Sequence, residues 1–438
     1  MNILKQYRKQ NTKSLQLFTR AQRSLPSGNT RAALYWPPYP LYLASGFGPR
    51  VIDVDGNSRI DLNYNNTALI HGHNNSEITK AAKEQLAQGT VLGAPTEPEV
   101  KLAEELSKRL GGNKLVRFTP SGSEANLQAV RTVRAVTGKH KIAKCLGAYH
   151  GCWDAVPLTP LAPDIPQGVK ENTLYFPYND ANAAEKLIKG HRESLAAVIV
   201  EPTMRDMAPE PGFLETVREA TEASAIPLIF DEVISFRLSP GGAQRLYGVT
   251  PEYTTMGKII GGGFPVGAYA ASEEQMEPLM IPEAELPETA SPALGFSGTF
   301  NAHPITMAAG LASMKMLTQA RYKSLATMGD EMRTGLRKIL DEEGLKAHVG
   351  GVGSLFSISW TDKPVRDHIS SQTADKALGF FFNLGMMNRG VFILGHPNVS
   401  TALTKTDIET VLDAARATMV ELKPIVRDRA PHLLLSSQ

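Results

Sequence analysis

Cysteine is nearly absent from this chain: among 438 residues there are two, Cys145 and Cys152. That is too few for a disulfide framework or a cysteine-based zinc site, and it fits a cytoplasmic setting. Long apolar runs are missing too. The longest, Leu195–Val200 and 226–230, are strand-sized, far short of the ~18 residues that suggest a membrane span. An excess of one charge is also lacking. Lys+Arg 46 against Asp+Glu 44 leave a net charge of +2, so no basic footprint points to a nucleic-acid partner. There is no internal repeat, low-complexity tract or flexible linker. One local absence stands out. No acidic residue precedes Asp53, whereas Lys5, Arg8, Lys9, Lys13, Arg20, Arg23, Arg31 and Arg50 do. An acid-poor basic start has two readings, an organelle transit segment or a surface helix of the mature protein. Leu15, Phe18 and Leu25 follow helical spacing and run straight into folded-looking sequence, which favours the helix.

What is present is globular. Hydrophobic residues at 42% and charged residues at 21% exclude an intrinsically disordered chain, and the length allows two or three domains at ~150 residues each. Residues 51–62 alternate around Asp55-Gly56-Asn57 and predict a β-hairpin. Thr96-Glu-Pro-Glu99 reads as a capping box opening a helix that Gly111-Gly112 closes. Apolar strands at 115–119, 141–146, 195–200 and 227–230 then alternate with helical stretches, including 124–137 and 215–223. This predicts a mostly parallel sheet covered by helices on both faces. Past about residue 310 the texture is α+β: helices at 304–319, 322–343, 374–389 and 406–422, the last opened by a box Thr406-Asp-Ile-Glu409, with strands at 353–360 and 391–394.

Three segments carry chemistry. In Met256-Gly-Lys-Ile-Ile-Gly-Gly-Gly263, Lys258 follows a predicted strand in an apolar setting, where a lysine has a lowered pKa and can form a Schiff base. The glycines let the backbone pass close beneath a flat ligand; the alternative is a surface lysine beside a turn. In Ile229-Phe-Asp-Glu-Val233, Asp231 ends a buried strand and points to the crevice where parallel sheets bind ligands. A carboxylate there needs a cationic partner, unless it simply caps the next segment. In Thr119-Pro-Ser-Gly-Ser-Glu-Ala125, hydroxyls and backbone N–H groups at a helix start suit a phosphate. A plain serine N-cap satisfies the same pattern. This turn has neither the dinucleotide glycine fingerprint nor a P-loop lysine.

Taken in order, Ser-Gly-Ser-Glu-Ala, Tyr149-His-Gly151, Glu201-Pro202, Asp231-Glu-Val233, Gly257-Lys-Ile-Ile-Gly-Gly-Gly263 and Ser297-Gly-Thr-Phe-Asn-Ala-His-Pro304 resemble class III aminotransferases of fold type I, which depend on pyridoxal 5'-phosphate (PLP). The resemblance runs from about residue 15 to 425. Phe236-Arg-Leu, Gly241-Gly-Ala-Gln and Tyr247-Gly-Val-Thr-Pro251 are similar to the glutamate-1-semialdehyde aminomutase and β-amino acid aminotransferase branch. The resemblance implies an α/β fold with a large PLP domain (76–310) built on a mostly parallel, seven-stranded-type sheet. A smaller α+β domain would combine 1–75 with 311–438. It implies Lys258 as the Schiff-base lysine and Asp231 as the partner of the pyridine nitrogen. Ser121, Gly122 and Ser123 would hold the phosphate, Tyr149 and Val233 the two ring faces, and Glu201 would join the cofactor set. Thr299 would reach across from the second subunit of a homodimer with composite active sites.

For the substrate, Asn29-Thr-Arg31 matches the position of a carboxylate-binding arginine in this branch, and Arg31 has the guanidinium fork for it. Arg205 is either a second carboxylate contact or surface. Tyr35, Trp36 and Tyr39 line an aromatic-friendly pocket or form a packed turn. Three positions depart from the aminomutase pattern: Asn66 where it has tryptophan, Asp206 where it has asparagine, and Leu394-Gly-His-Pro-Asn398 where it has a gating glutamate. The arginine of β-phenylalanine-type enzymes near this last stretch is also missing, leaving His396. The expectation is an aminotransferase acting on a small-molecule amino donor (a β-amino or aryl amino acid, or an amine) and an oxo-acid acceptor through Lys258 and pyridoxamine phosphate, with no metal, nucleic acid or membrane involved. A glutamate-1-semialdehyde 2,1-aminomutase, or a racemase or decarboxylase on the same fold, are the alternatives. A non-enzymatic relative would usually have lost Lys258 or Asp231.

Overall fold

A computed structural model describes residues 2–282 and 292–435. The chain divides into two compact units. One comprises residues 1–75, 323–365 and 370–438; the other comprises 76–322 with 366–369.

The first unit opens with two helices, Asn2–Gln10 and Thr12–Ala21, so the basic start is folded. Ile3 and Tyr7 are buried, and Asn388 Nδ2 donates to the carbonyl of Ile3 at 2.9 Å. Strands β1 to β3 follow at Leu43–Phe47, Arg50–Asp53 and Ser58–Asp61. β2 and β3 form the expected antiparallel hairpin, with Gly56 supplying φ +89° at its tip, a value residues with a Cβ rarely adopt. Trp36 and Tyr39 are buried, and both are bonded to Tyr7: the indole N–H donates to its hydroxyl at 3.0 Å, and that hydroxyl donates to the Tyr39 carbonyl at 2.8 Å. Of the two readings of this segment, the packed turn holds for these two residues. Only Tyr35 is exposed, with its ring against Phe18.

The second unit holds the main sheet. Its strands are β4 (Leu115–Thr119), β5 (Lys141–Cys145), β6 (Thr173–Phe176), β7 (Leu195–Val200), β8 (Leu228–Asp231), β9 (Tyr253–Gly257) and β10 (Gly267–Ala271). They form one seven-stranded sheet in the order β4-β10-β9-β8-β7-β5-β6. β6 with β5, β5 with β7, β7 with β8 and β8 with β9 pair in parallel, and β10 is antiparallel to both neighbours. Every residue of β7 is buried, as an apolar run covered on both faces requires. The sequence pattern misses β10, Gly-Ala-Tyr-Ala-Ala, because it lacks β-branched residues. Neighbouring strands make it a strand in spite of its weak propensity.

The first unit ends with β11 (His348–Gly350), β12 (Ser357–Ser359) and β13 (Val391–Phe392), the last pairing in parallel with β3. Both expected capping boxes are revised. Thr96 occupies the N-cap of the helix Glu97–Arg109 but makes no side-chain cap bond. The last helix, Lys405–Arg429, is capped by Thr404 and Asp407 reciprocally, two residues before the predicted box, because Asp407 reaches the Thr404 backbone N–H at 3.0 Å. Among the described residues, no helix is long and apolar enough to cross a membrane.

Candidate active site

Parallel pairing of β8 and β9 places Asp231 beside Thr255, three residues before Lys258, so both functional groups leave the same end of adjacent strands. Lys258 begins a tight helical turn and has φ +52°. The left-handed region is costly for a residue with a Cβ and marks positions where surrounding structure fixes the backbone. The Lys258 amine makes no hydrogen bond or ion pair among the described residues. Burial lowers its pKa to about 8, against the opposing pull of Asp231 and Glu201. A half-buried amine with no bonded partner among the described residues, its pKa lowered toward physiological pH, is available as a nucleophile and a base.

Asp231 is almost fully buried and held on three sides. Its Oδ2 receives the Asn126 amide at 2.7 Å and sits 2.8 Å from His150 Nδ1. Its Oδ1 receives the Val233 backbone N–H at 3.1 Å. Asn126 is itself fixed by Thr255, whose hydroxyl donates to its Oδ1 at 2.6 Å, and by the His150 carbonyl at 3.2 Å. Among the described residues, the one ionisable side chain bonded to the carboxylate is a histidine whose other ring nitrogen, Nε2, is buried and has no hydrogen-bond partner there. This site suits one more cationic N–H donor. His150 and Asn126 were not singled out from the sequence. The signals were present: His150 lies within the Tyr-His-Gly motif, and Asn126 interrupts the buried stripe Ala125, Ala129, Val130, Val133 of its helix.

Behind Asp231, the Glu232 carboxylate accepts from the Ala243 and Gln244 backbone N–H groups and from the Gln244 and Ser235 side chains. A Cβ on Gly242 would lie 2.5 Å from this carboxylate, and Gly242 has φ +77°. The Gly-Gly-Ala-Gln motif is thus a cradle for Glu232, whose burial pushes its pKa up to about 7.

The Ser-Gly-Ser turn opens the helix Gly122–Thr137. The Ser121 hydroxyl caps it, accepting from the Glu124 N–H at 3.2 Å, so its side chain performs the plain capping role. Gly122, Ser123 and the helix start remain for an anion. Small residues keep this place open. A Cβ on Gly122 would sit 2.9 Å from Val233, and one on Gly151 would sit 2.6 Å from the Ser123 hydroxyl.

Tyr149 is half exposed, with its hydroxyl 3.1 Å from the Cys152 sulfur. Glu201 is buried, and each of its oxygens takes a backbone N–H: Tyr149 at 2.8 Å and Arg205 at 3.2 Å. It therefore anchors two loops, and burial raises its pKa. Arg205 has φ +62° and donates from Nη2 to the Gly147 carbonyl at 3.0 Å. Thr299 lies exposed on a turn. Arg31 and Tyr35 belong to the other unit. There Arg31 Nη1 donates to Asn65 Oδ1 at 2.6 Å. No cluster of metal-ligating residues occurs among the described residues.

A half-buried lysine with no bonded partner among the described residues, a carboxylate ready for one more cationic donor and a helix start cleared by glycines fit an aldehyde-bearing pyridine phosphate. The aminotransferase class-III family model matches residues 36–396. A glutamate-1-semialdehyde 2,1-aminomutase from Methanosphaera stadtmanae is 38% identical, covering 94% of this chain and 99% of its own length. An omega-transaminase from Sphaerobacter thermophilus is 41% identical with a TM-score of 0.87, covering 94% of this chain and 98% of that one. A β-phenylalanine aminotransferase from Variovorax paradoxus is 30% identical with a TM-score of 0.88, covering 100% and 99%. The chain belongs to the class-III aminotransferases and is a PLP-dependent enzyme of the fold type I architecture.

Proposed function

We propose that this enzyme moves an amino group from a carboxylate-bearing donor, a β-amino or aryl amino acid, to an oxo-acid acceptor. The observation that carries the reading is the half-buried Lys258 amine, without a bonded partner among the described residues, within the field of Asp231, which His150 and Asn126 hold. When bound, PLP supplies an aldehyde that captures amines and a protonated ring that takes up the electron pair left as the neighbouring C–H is broken.

In this reading Lys258 Nζ would hold the cofactor and would give way to a donor amine. Once free, the Lys258 amine would take the donor's C–H proton and hand it back within the site. A pKa near 8 suits both acts, because the amine is neutral often enough to accept and acidic enough to return. Asp231 keeps the ring nitrogen protonated, and Asn126 and His150 orient Asp231. Gly122 and Ser123 would bind the phosphate at the helix start, and Ser121, whose hydroxyl caps the helix, would contribute by holding that start in place. Tyr149 and Val233 flank the ring, and Glu201 fixes the loop that carries Tyr149. Arg31 receives the donor carboxylate, with Arg205 and Tyr35 as further substrate contacts. Its guanidinium is exposed and has one bonded partner among the described residues, which leaves the fork for a bidentate anion.

The enzyme works as a homodimer in this proposal, with Thr299 completing the partner subunit's phosphate site. Exposure of Thr299, and of apolar Val100 and Leu115 along one groove with Met280, supports burial against a second copy. Sedimentation of a fully active monomer would overturn this point.

The second reading is glutamate-1-semialdehyde 2,1-aminomutase, favoured by full-length likeness to enzymes of that name. The departures at Asn66, Asp206 and 394–398 weigh against it. Absorbance of the holoenzyme, with single donors and no acceptor, separates the two. β-Phenylalanine, a D-aryl glycine, an aryl-alkyl amine, glutamate and glutamate-1-semialdehyde make the panel. Conversion to the pyridoxamine band by β-phenylalanine or the aryl glycine supports the first reading. A response to the semialdehyde alone, with product formed without acceptor, establishes the second.

A further inference from the structure

Four consecutive residues without glycine, Tyr64, Asn65, Asn66 and Thr67, have φ of 45°, 52°, 53° and 74°. A run of left-handed backbone is strongly disfavoured when each residue carries a Cβ, and such strain persists only where its surroundings over-determine it. Here they do. Asp61 Oδ1 accepts from the backbone N–H groups of Asn63 and Tyr64 at 2.7 and 3.0 Å, while its Oδ2 lies 2.7 Å from His73 Nε2. The Asn63 side chain accepts from the Asn66 N–H at 2.9 Å and donates to Asn66 Oδ1 at 3.0 Å and to the Leu394 carbonyl at 2.6 Å. Asn398 in turn donates to the Asn63 carbonyl at 3.0 Å.

None of these bonds uses the Asn65 side chain. It leaves the exposed tip of the turn and accepts a hydrogen bond from Arg31 Nη1 at 2.6 Å, across 34 residues of sequence. The Arg31 backbone is fixed separately, its N–H donating to Asn29 Oδ1 at 2.8 Å. Two asparagines thus hold both ends of one exposed arginine. Guanidinium only donates, so the Asn65 atom facing it is the amide oxygen. An amide aligns the fork without neutralising it, and the remaining N–H groups keep a full positive charge for another anion.

We propose that the left-handed turn Tyr64–Thr67 is a specificity device in which Asn65 is a positioning residue, orienting Arg31 for the carboxylate of the amino donor. The inference rests on the reading that Arg31 receives that carboxylate. It adds where the orientation comes from, and why the chain tolerates the strained turn.

The test measures kcat and KM for β-phenylalanine, and for 1-phenylethylamine as the control without a carboxylate, in holoenzymes of the wild type, Arg31→Ala, Asn65→Gly and Asn65→Asp. Asn65→Gly removes the amide and relieves the left-handed backbone. It is expected to raise KM for β-phenylalanine about 10-fold, with kcat within about twofold, no change for the amine and an unchanged or higher Tm. Asn65→Asp keeps the shape and the bond but neutralises the fork, so KM for β-phenylalanine is expected to rise further, at undiminished Tm. A purely structural asparagine predicts the reverse, a lowered Tm with donor discrimination intact. If Arg31→Ala weakens β-phenylalanine but neither Asn65 variant does, the Asn65 inference fails and the Arg31 reading stands. If Arg31→Ala changes nothing, or the wild type does not turn over β-phenylalanine, the underlying reading fails and takes the inference with it.

Discussion

The two units treat their candidate functional polar groups in opposite ways. Around Asp231 the carboxylate, Asn126 and Thr255 are buried and bonded in a closed network. Around Arg31 the guanidinium and its partner Asn65 are exposed, and four left-handed residues support the contact. Burial explains the contrast. A charge removed from water must be met by fixed partners, and those partners strengthen one another in a low dielectric. A charge left in water is already solvated, so its orientation is set by the backbone that presents a neighbour to it. The first arrangement suits chemistry common to a family; the second suits discrimination between substrates, which a few surface side chains can retune.

The contrast predicts that damage to the buried cluster costs turnover while damage to the exposed one costs affinity. Lys258→Ala tests its extreme. Removing the amine proposed as base and covalent anchor is expected to lower the rate of pyridoxamine formation by on the order of 10⁴-fold, measured by single-turnover absorbance. A variant with near-normal turnover would break the scheme. Asp231→Asn comes next. It preserves shape but removes the charge proposed to keep the ring nitrogen protonated, so kcat is expected to fall about 10²–10³-fold with a small change in donor KM. Asn126→Ala acts through Asp231 and is expected to cost about 10-fold, in the range of supporting residues around a tuned centre. Equal losses in KM and kcat for these two variants would erase the distinction between the units.

The strands that carry the buried cluster are readable in sequence because their signals are local. Ile229-Phe-Asp is an apolar strand ending in a carboxylate, and Lys258 follows another strand directly. What escapes is whatever depends on partners distant in sequence. β10 is a strand because β4 and β9 flank it. His150 matters because Asp231, 81 positions away, lies 2.8 Å from it. Trp36 and Tyr39 look like pocket aromatics and are packed against Tyr7. The turn at 64–67 is hardest of all. Asparagine tolerates left-handed φ, but Tyr64 and Thr67 do not favour it, and the bonds that impose it come from Asp61 and from Asn63, itself held by Leu394 and Asn398.

Gly151→Ala probes the space rather than the charges of the buried site. Gly151 has φ +108°, and the added Cβ would meet the Ser123 side chain and backbone at 2.6–2.7 Å, so backbone must shift. PLP affinity is expected to fall about 10-fold or more, read by cofactor retention on dilution, with secondary structure intact.

The smallest effect concerns what the buried amine costs when no cofactor is attached. In the cofactor-stripped protein Lys258 has a pKa of about 8 against an ordinary 10.5. Below pH 8 both folded and unfolded chains carry the proton, and the folded chain bears the full cost of a desolvated charge. Between about 8 and 10.5 the unfolded chain still holds the proton while the folded chain has released it, so stability rises with pH. Lys258→Met removes the charge at similar length. Its Tm is expected to exceed that of the stripped wild type by a few degrees at pH 7, and the gap is expected to close as pH approaches 10. Lys144, also lowered to about 8 by burial, titrates in both proteins and cancels from the difference. A gap that stays constant across this range would mean that the Lys258 amine is solvated in the empty site, and that its reactivity comes from the cofactor and not from burial.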